Sequence, residues 1–131
     1  MIADHYKGPE RRRFDRIPVD FTLTYKINEP LKVRMLVEDR EVEAEISNLS
    51  ESGMSLVTNY NIPIASILLI TFNLIDVTSS AQTPTILQMS GEVRYNILLG
   101  QAGHRLGINF TEISPHDRQV ISAFVSDILK Q

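Results

Sequence analysis

The amino-acid sequence predicts a mainly β domain, a small antiparallel barrel followed by one helix. Two observations carry this prediction. Several segments alternate apolar and polar side chains, as strands with one buried face do, and short polar turns separate them. An apolar stripe at helical spacing lies near the C-terminus. With 131 residues, 43% of them hydrophobic and 22% charged, the chain is long enough for one domain with its own core.

The first predicted strand is the clearest. From Ile17 to Ile27, apolar side chains occupy every second position and polar side chains lie between them. The alternation is weaker from Leu31 to Val37, because Leu36 falls on the otherwise polar face. We expect a second strand there, within an extra hairpin over residues 28–41.

Further strands follow with short connections. They are predicted at Val42–Ser47, Met54–Thr58, Ile67–Ile75, Ile86–Leu98 and Arg105–Phe110. Most positions of Ile67–Ile75 are apolar, which is typical of a strand buried on both faces or packed under a helix. Gly91 predicts a bulge within its strand. Residues 76–84 are expected to form a loop, and Gly100–Gly103 a turn.

The C-terminal helix has clear start signals. Ser114 suits the N-cap, Pro115 the first helical position, and Asp117 the first turn, where a negative charge is favourable. Its apolar stripe predicts a core-facing surface formed by Val120, Ile121, Phe124, Val125, Ile128 and Leu129. The domain layout is therefore a flexible arginine-rich arm over residues 1–16 and a barrel over residues 17–131, with the helix at about residues 115–130.

Residue sets that would indicate an enzyme or a metal site are missing from the sequence. The chain has no cysteine, which excludes disulfides, thiolate metal sites and cysteine nucleophiles. Its three histidines lie far apart, and no zinc-helix, nucleophile-elbow or phosphate-loop motif occurs. Glu41, Glu43 and Glu45 alternate along one strand face, a pattern typical of a solvated surface. We therefore expect no catalytic residue, no bound metal and no enzyme activity.

Neither a membrane nor a long nucleic acid fits the composition. The apolar uncharged stretch Ile62–Ile75 has fourteen residues and contains Pro63, whereas a spanning helix needs about twenty apolar residues. The N-terminus has no signal-peptide core, so we expect a cytoplasmic protein. The net charge is +2 over residues 1–16 and −5 over the remainder. An acidic body repels a nucleic acid polymer, but a compact anion could still bind the basic arm.

Arginines cluster just ahead of the first strand. Arg12 and Arg16 are spaced RxxxR, and Arg11 and Arg13 flank Arg12. A guanidinium presents a planar fork of donors, which can bind a phosphate or the O6/N7 edge of guanine. Taken alone, this motif fits a solvated basic arm equally well.

A second motif lies in the polar turn between two strands. Asn48 and Ser50 offer short hydrogen-bonding side chains, and Gly53 permits a positive φ or a close backbone approach. An Asn amide has both a donor and an acceptor, which suits a base edge. Taken alone, the motif favours an Asx-type hairpin turn.

Together and in this order, the two motifs resemble the PilZ domain family, which is marked by an RxxxR arm followed by [D/N]xSxxG on a strand and turn. The resemblance continues through Gly91–Tyr95 and Arg105–Phe110, which are similar to the family's late strands, and through the C-terminal helix. It covers about residues 10–131 and implies a single-domain member. The implied fold is a six-stranded antiparallel barrel with a C-terminal helix.

The resemblance also implies a ligand, cyclic di-GMP. Arg12 and Arg16 would contact its phosphate and the guanine O6/N7 edge, with added positive charge from Arg11 and Arg13. Asn48 and Ser50 would bind the base or phosphate region, and Gly53 would shape the turn. Family members bind one molecule or a stacked pair, and an arginine before the motif resembles the pair-binding type, which favours two. No other cofactor is implied.

Two function classes follow from the resemblance. The first is a receptor that changes conformation on binding cyclic di-GMP and signals to a separate effector protein. The alternative is a PilZ-like adaptor that binds a protein and not the nucleotide. Complete arginine motifs favour the receptor. Arg94 and Tyr95 are further candidates for stacking on a second guanine.

Overall fold

The computed structural model describes residues 17–74 and 85–129. The predicted arm over residues 1–16, with all four of its motif arginines, lies outside the described residues. So does the predicted loop over residues 76–84. Within the described ranges the chain forms six strands, two α-helices and one short 3₁₀ turn.

The strands form a closed antiparallel barrel, which confirms the predicted fold class. Along the chain they are β1 (Ile17–Glu29), β2 (Val42–Leu49), β3 (Gly53–Thr58), β4 (Ile67–Leu74), β5 (Thr85–Leu98) and β6 (His104–Ile113). Their order around the barrel is β1-β2-β3-β6-β5-β4, so each strand has two hydrogen-bonded neighbours. Closure removes the exposed edges that an open sheet would leave.

The barrel interior is apolar because the alternating side chains point inward. Fully buried side chains include Leu49 on β2, Met54 and Leu56 on β3, and Leu106 and Ile108 on β6. Burial of each such side chain contributes about 1.5–3 kcal/mol of hydrophobic stabilisation. The core thus fixes which side chains of β2, β3 and β6 face outward.

One segment differs from its prediction. The expected strand over Leu31–Val37, and with it the extra hairpin, is wrong: the chain forms α1 (Leu31–Leu36). Val33 and Val37 are buried, whereas Leu31 and Met35 are 67% and 65% exposed, although a strand would place all four on one face. Buried residues four apart follow the helical period, so α1 packs its valines on β1.

The second helix, α2 (Pro115–Leu129), closes the barrel at the end where β1 begins. Ser114 Oγ accepts a hydrogen bond from the Asp117 amide at 3.0 Å, which confirms the predicted N-cap. Ile121, Phe124 and Val125 are buried in the core, as the apolar stripe predicted.

Two predictions about β4 and β5 are wrong. The inward side chains of β4 are buried, but the outward ones are half-buried or exposed, so the prediction of a strand buried on both faces is wrong. Outward Leu69 is half-buried and lines a groove together with Ser114 and Arg118 at the start of α2. The predicted bulge at Gly91 is also wrong: Ser90 pairs with Glu112 and Gly91 with Phe110, so the extra residue opposite Gly91 is Thr111 on β6.

Because the strands are antiparallel, the connections between them lie at the two ends of the barrel. The motif end carries the start of β1, the β2–β3 turn and α2. The far end carries α1, the β3–β4 connection and the Gly100–Ala102 turn. Among the described residues, no helix is long and apolar enough to cross a membrane.

Candidate functional site

The second sequence motif forms the β2–β3 turn, and Ser50 lies at its centre. Ser50 is fully buried. Its Oγ accepts hydrogen bonds from the amides of Ser52 and Gly53, both at 3.2 Å, and donates to the Gly53 carbonyl at 3.2 Å. The Ser50 amide also donates to that carbonyl at 2.9 Å. The hydroxyl therefore accepts from two amides of the turn in place of a backbone carbonyl, and it holds the turn closed.

Gly53 lies where the turn meets β6. It pairs with Asn109, and a Cβ at this position would collide with the carbonyl oxygen of Ile108. The Phe110 amide donates to the Ser52 carbonyl at 3.0 Å, so β6 also holds the turn from the other side. Only glycine allows the two backbones to approach this closely.

Asn48 occupies a different position from Ser50, on the outer surface of β2. Its Nδ2 donates to Ser55 Oγ at 3.0 Å, and Ser47 Oγ lies 2.6 Å from the same hydroxyl oxygen. In residues 17–74 and 85–129, no hydrogen bond engages the Asn48 Oδ1 atom. The side chain is half-buried and anchored through its nitrogen, which leaves an outward-facing acceptor beside the turn.

Asn48 belongs to a row of paired residues that crosses four strands. Asn48 pairs with Ser55, Ser55 with Gly107, and Gly107 with Tyr95. On β3 and β6 the residues on either side of this row, Met54, Leu56, Leu106 and Ile108, are buried in the core, so the row lies on the outer wall of the barrel. A Cβ at Gly107 would collide with the Tyr95 ring, so the ring lies against the bare β6 backbone.

A cavity of about 270 Å³ lies at the Tyr95 end of this row. Its lining consists of Arg94, Tyr95, Gly107, Ile108 and Asn109. Asn109 is the partner of Gly53, so the cavity lies beside the motif turn. The exposed Arg94 guanidinium is 3.8 Å from the Glu92 carboxylate, a loose ion pair at the surface.

Sequence reasoning had singled out Arg94 and Tyr95 but missed Ser55, Gly107 and Asn109. A signal for these three was present, since they are small or polar residues on strands whose other positions are mostly apolar. The strand order was needed to place them beside Asn48, because β3 and β6 are neighbours in the barrel but distant in sequence.

The predicted arginines can be located only through the start of β1. Arg11, Arg12, Arg13 and Arg16 all precede the first described residue, Ile17. Ile17 pairs with Leu49, and Pro18 pairs with Asn48. The described chain therefore begins directly beside the second motif.

Titratable groups elsewhere have structural roles. Burial raises the pKa of Tyr25 to about 12, while a hydrogen bond to Thr58 Oγ1 at 2.8 Å opposes the shift and nearby Tyr60 adds to it. His104 Nδ1 lies 2.9 Å from Asn96 Oδ1. Among the described residues, no group of three or more His, Asp or Glu side chains could hold a metal ion.

Comparisons with known proteins agree with the fold and with the motifs. The sequence model of the PilZ domain matches residues 10–127. The fold is similar to that of the Bacillus subtilis inhibitor of motility MotI/DgrA, with 15% identity and a TM-score of 0.71 over 100% of this chain and 57% of that one. The PilZ domain of Escherichia coli YcgR, solved with c-di-GMP, has 14% identity and a TM-score of 0.60 over 92% of this chain and 93% of that one.

A third similar structure is Borreliella burgdorferi PlzA in complex with c-di-GMP, with 16% identity and a TM-score of 0.57 over 87% of this chain and 40% of that one. This chain thus spans 57% of the length of MotI/DgrA and less of PlzA. No curated protein sequence matches it significantly. The domain match extends over nearly the whole chain, from ahead of the arginine motif into α2, and it includes both motifs and all six strands; the chain therefore belongs to the PilZ domain family.

Proposed function

We propose that the protein is a cyclic di-GMP receptor that signals to a partner protein. The observation that carries this proposal is the position of Asn48. No hydrogen bond among the described residues engages its Oδ1, and the side chain lies on the outer wall where the chain enters β1 after the RxxxR motif, because Pro18 pairs with Asn48. This pairing supports a site where the Asn48 amide and the guanidinium groups of the RxxxR motif meet one ligand, since guanine and phosphate need these two kinds of group.

Chain geometry supports a site shared by the two motifs. Ile17 pairs with Leu49, and Arg16 is the residue bonded to Ile17, one Cα–Cα step of about 3.8 Å along the chain. Arg12 is four residues further back, within about 14 Å of Arg16 even when the chain is fully extended. Both side chains can therefore reach a ligand lying over the β2–β3 turn. Arg11 and Arg13 add positive charge around it.

We assign different roles to the residues of the turn. Asn48 Oδ1 accepts a hydrogen bond from the base, whose Watson–Crick edge carries N–H donors. Ser50 and Gly53 act indirectly: the buried hydroxyl and the missing Cβ fix the turn from which Asn48 projects. Arg12 and Arg16 bind phosphate and the O6/N7 edge of guanine.

The outer wall offers room for a second ligand molecule. Tyr95 is 37% exposed and its ring borders the 270 Å³ cavity, where Arg94 supplies a cation. An aromatic ring gives a guanine a stacking surface, and base–aromatic stacking contributes about 1–3 kcal/mol per base. Together with Arg11 ahead of the motif, this supports two molecules per chain.

Isothermal titration with cyclic di-GMP tests the proposal directly. Wild-type protein should bind saturably with a stoichiometry near two. Arg16→Ala should weaken binding at least thirtyfold, or by about 2 kcal/mol, because a charge-assisted hydrogen bond is lost. Asn48→Ala should also weaken it, whereas Asn28→Ala, the same change at an exposed position on the far end of β1, should leave it unchanged.

Three results of the titration would each contradict a different part of the proposal: the receptor function, the assigned site or the second ligand molecule. Wild-type protein that shows no binding at high micromolar ligand would favour the adaptor that recognises only a protein. Binding that Arg16→Ala and Asn48→Ala do not weaken would retain the receptor and overturn the assigned site. A stoichiometry of one would remove the role of Tyr95 as a second platform.

A further inference from the structure

The Arg118 side chain connects helix α2 to the β2–β3 turn. Arg118 Nη1 donates a hydrogen bond to the carbonyl oxygen of Glu51 at 3.1 Å. Glu51 lies between Ser50 and Ser52 in the turn but 67 residues away from Arg118 along the chain. A charged donor on a carbonyl forms one of the stronger hydrogen bonds in proteins.

The helix end of this connection is fixed to the barrel. The Arg118 amide donates to the Ser114 carbonyl at 3.0 Å, within the first turn of α2. The Asp117 carboxylate accepts a hydrogen bond from the Gln88 amide of β5 at 3.2 Å. One turn further on, Ile121 is fully buried in the core. The Arg118 backbone therefore has little freedom to follow a moving turn.

The turn end has fewer restraints of its own. Ser50 and Gly53 are buried, but Glu51 and Ser52 are half-buried at its tip. Among the backbone hydrogen bonds of the described residues, none reaches the Glu51 carbonyl. The Arg118 side chain also lines a groove of about 470 Å³ next to Ser90 and Glu112. The groove gives the guanidinium room to leave Glu51.

We propose that Arg118 is a positioning residue, which holds the tip of the turn so that Asn48 presents its amide correctly. The inference rests on the proposed binding of cyclic di-GMP and extends it to a residue that does not touch the ligand. By thermodynamic linkage, a ligand that stabilises this turn also stabilises the start of α2. The helix is then the part of the surface through which occupancy of the turn can reach a partner protein.

The test compares Arg118→Met with Arg40→Met, which removes the same charge at the far end, where Arg40 faces Glu38 at 3.6 Å. Arg118→Met should raise the Kd for cyclic di-GMP about fivefold or more. It should also accelerate hydrogen exchange of the Ser52 and Gly53 amides before any ligand is added. Arg40→Met should change neither quantity by more than twofold. If Arg118→Met does not fold, Arg118→Lys keeps the charge without the guanidinium fork and should change both in the same direction.

Two results would overturn the inference. Weaker binding with unchanged exchange at Ser52 and Gly53 would mean that Arg118 contacts the ligand or acts through its charge alone. Unchanged binding together with unchanged exchange would mean that the hydrogen bond to Glu51 has no influence on the turn. If wild-type protein fails to bind cyclic di-GMP, the proposed function fails. The exchange measured without ligand still decides whether Arg118 positions the turn.

Discussion

Replacing Ser50 by alanine separates the structural part of the second motif from the part that contacts ligand. The substitution removes one hydroxyl that accepts from two amides and donates to one carbonyl, all within the same turn. Alanine fits the space without a clash. The loss in the free energy of unfolding is therefore that of the hydrogen bonds alone, and it can be measured without any ligand.

The size of the effect follows from burial. The Gly53 amide is buried, so losing its acceptor costs about 1–3 kcal/mol. The Ser52 amide is half-buried and partly reached by water, so its loss adds about 1 kcal/mol. The sum is about 2–4 kcal/mol of unfolding free energy. For a chain of this size it corresponds to a fall in Tm of about 6–15 °C.

Differential scanning calorimetry of ligand-free protein measures this directly. Ser52→Ala is the matched control: its hydroxyl has a single hydrogen-bonding contact, with Ser50 Oγ at 3.2 Å, and its amide is kept, so its Tm should fall by less than about 3 °C. Asn48→Ala should also stay close to wild type. If Ser50→Ala leaves the Tm within about 2 °C of wild type but abolishes binding, Ser50 contacts the ligand directly and does not act only by shaping the turn.

Two further predictions concern the barrel itself. Burial raises the Tyr25 pKa to about 12, against about 10 in the unfolded chain, so its contribution to stability is complete below pH 10 and is lost as pH rises through 12, by about 3 kcal/mol in total. Urea titrations from pH 9 to 11.5 should show a steeper decline for wild type than for Tyr25→Phe. Val33→Asp should destabilise the protein by more than about 3 kcal/mol and Met35→Asp by less than about 1 kcal/mol, because Val33 is buried and Met35 is exposed. If chemical denaturation shows equal losses of unfolding free energy for the two variants, the helical assignment of α1 is contradicted.

The strands were predictable because a period of two persists over long segments such as β1. A short segment gives less information. Leu31, Val33, Met35 and Val37 satisfy a strand pattern, while Val33 and Val37 alone satisfy a helical one. The structure follows the helical pattern, and it exposes Leu31 and Met35. Tertiary packing on β1 decided between two periods that seven residues could not distinguish.

The site was predictable in its parts but not in its geometry. The spacing of Asn48, Ser50 and Gly53 indicated a turn with binding capacity, yet it could not separate the outward amide from the buried hydroxyl. That separation depends on the register shift in β2 between Ile46 and Asn48, which returns Asn48 to the outer wall. The contact from Arg118 depends on where α2 lies after the barrel closes, and no local pattern encodes it.

The two motifs contribute to different quantities: the arginines to the affinity for the ligand, and Ser50 and Gly53 also to the stability of the fold. Ser50 and Gly53 hold the turn through contacts within the protein, so the turn is shaped before ligand arrives and binding loses little entropy there. The arginines precede β1, and we propose that they act through the ligand, so changing them should alter affinity with little effect on unfolding. Changes at Ser50 or Gly53 should alter both quantities, in proportion to the buried hydrogen bonds that are lost. Measuring Kd and Tm for the same variants therefore distinguishes a residue that binds the nucleotide from one that only shapes its site.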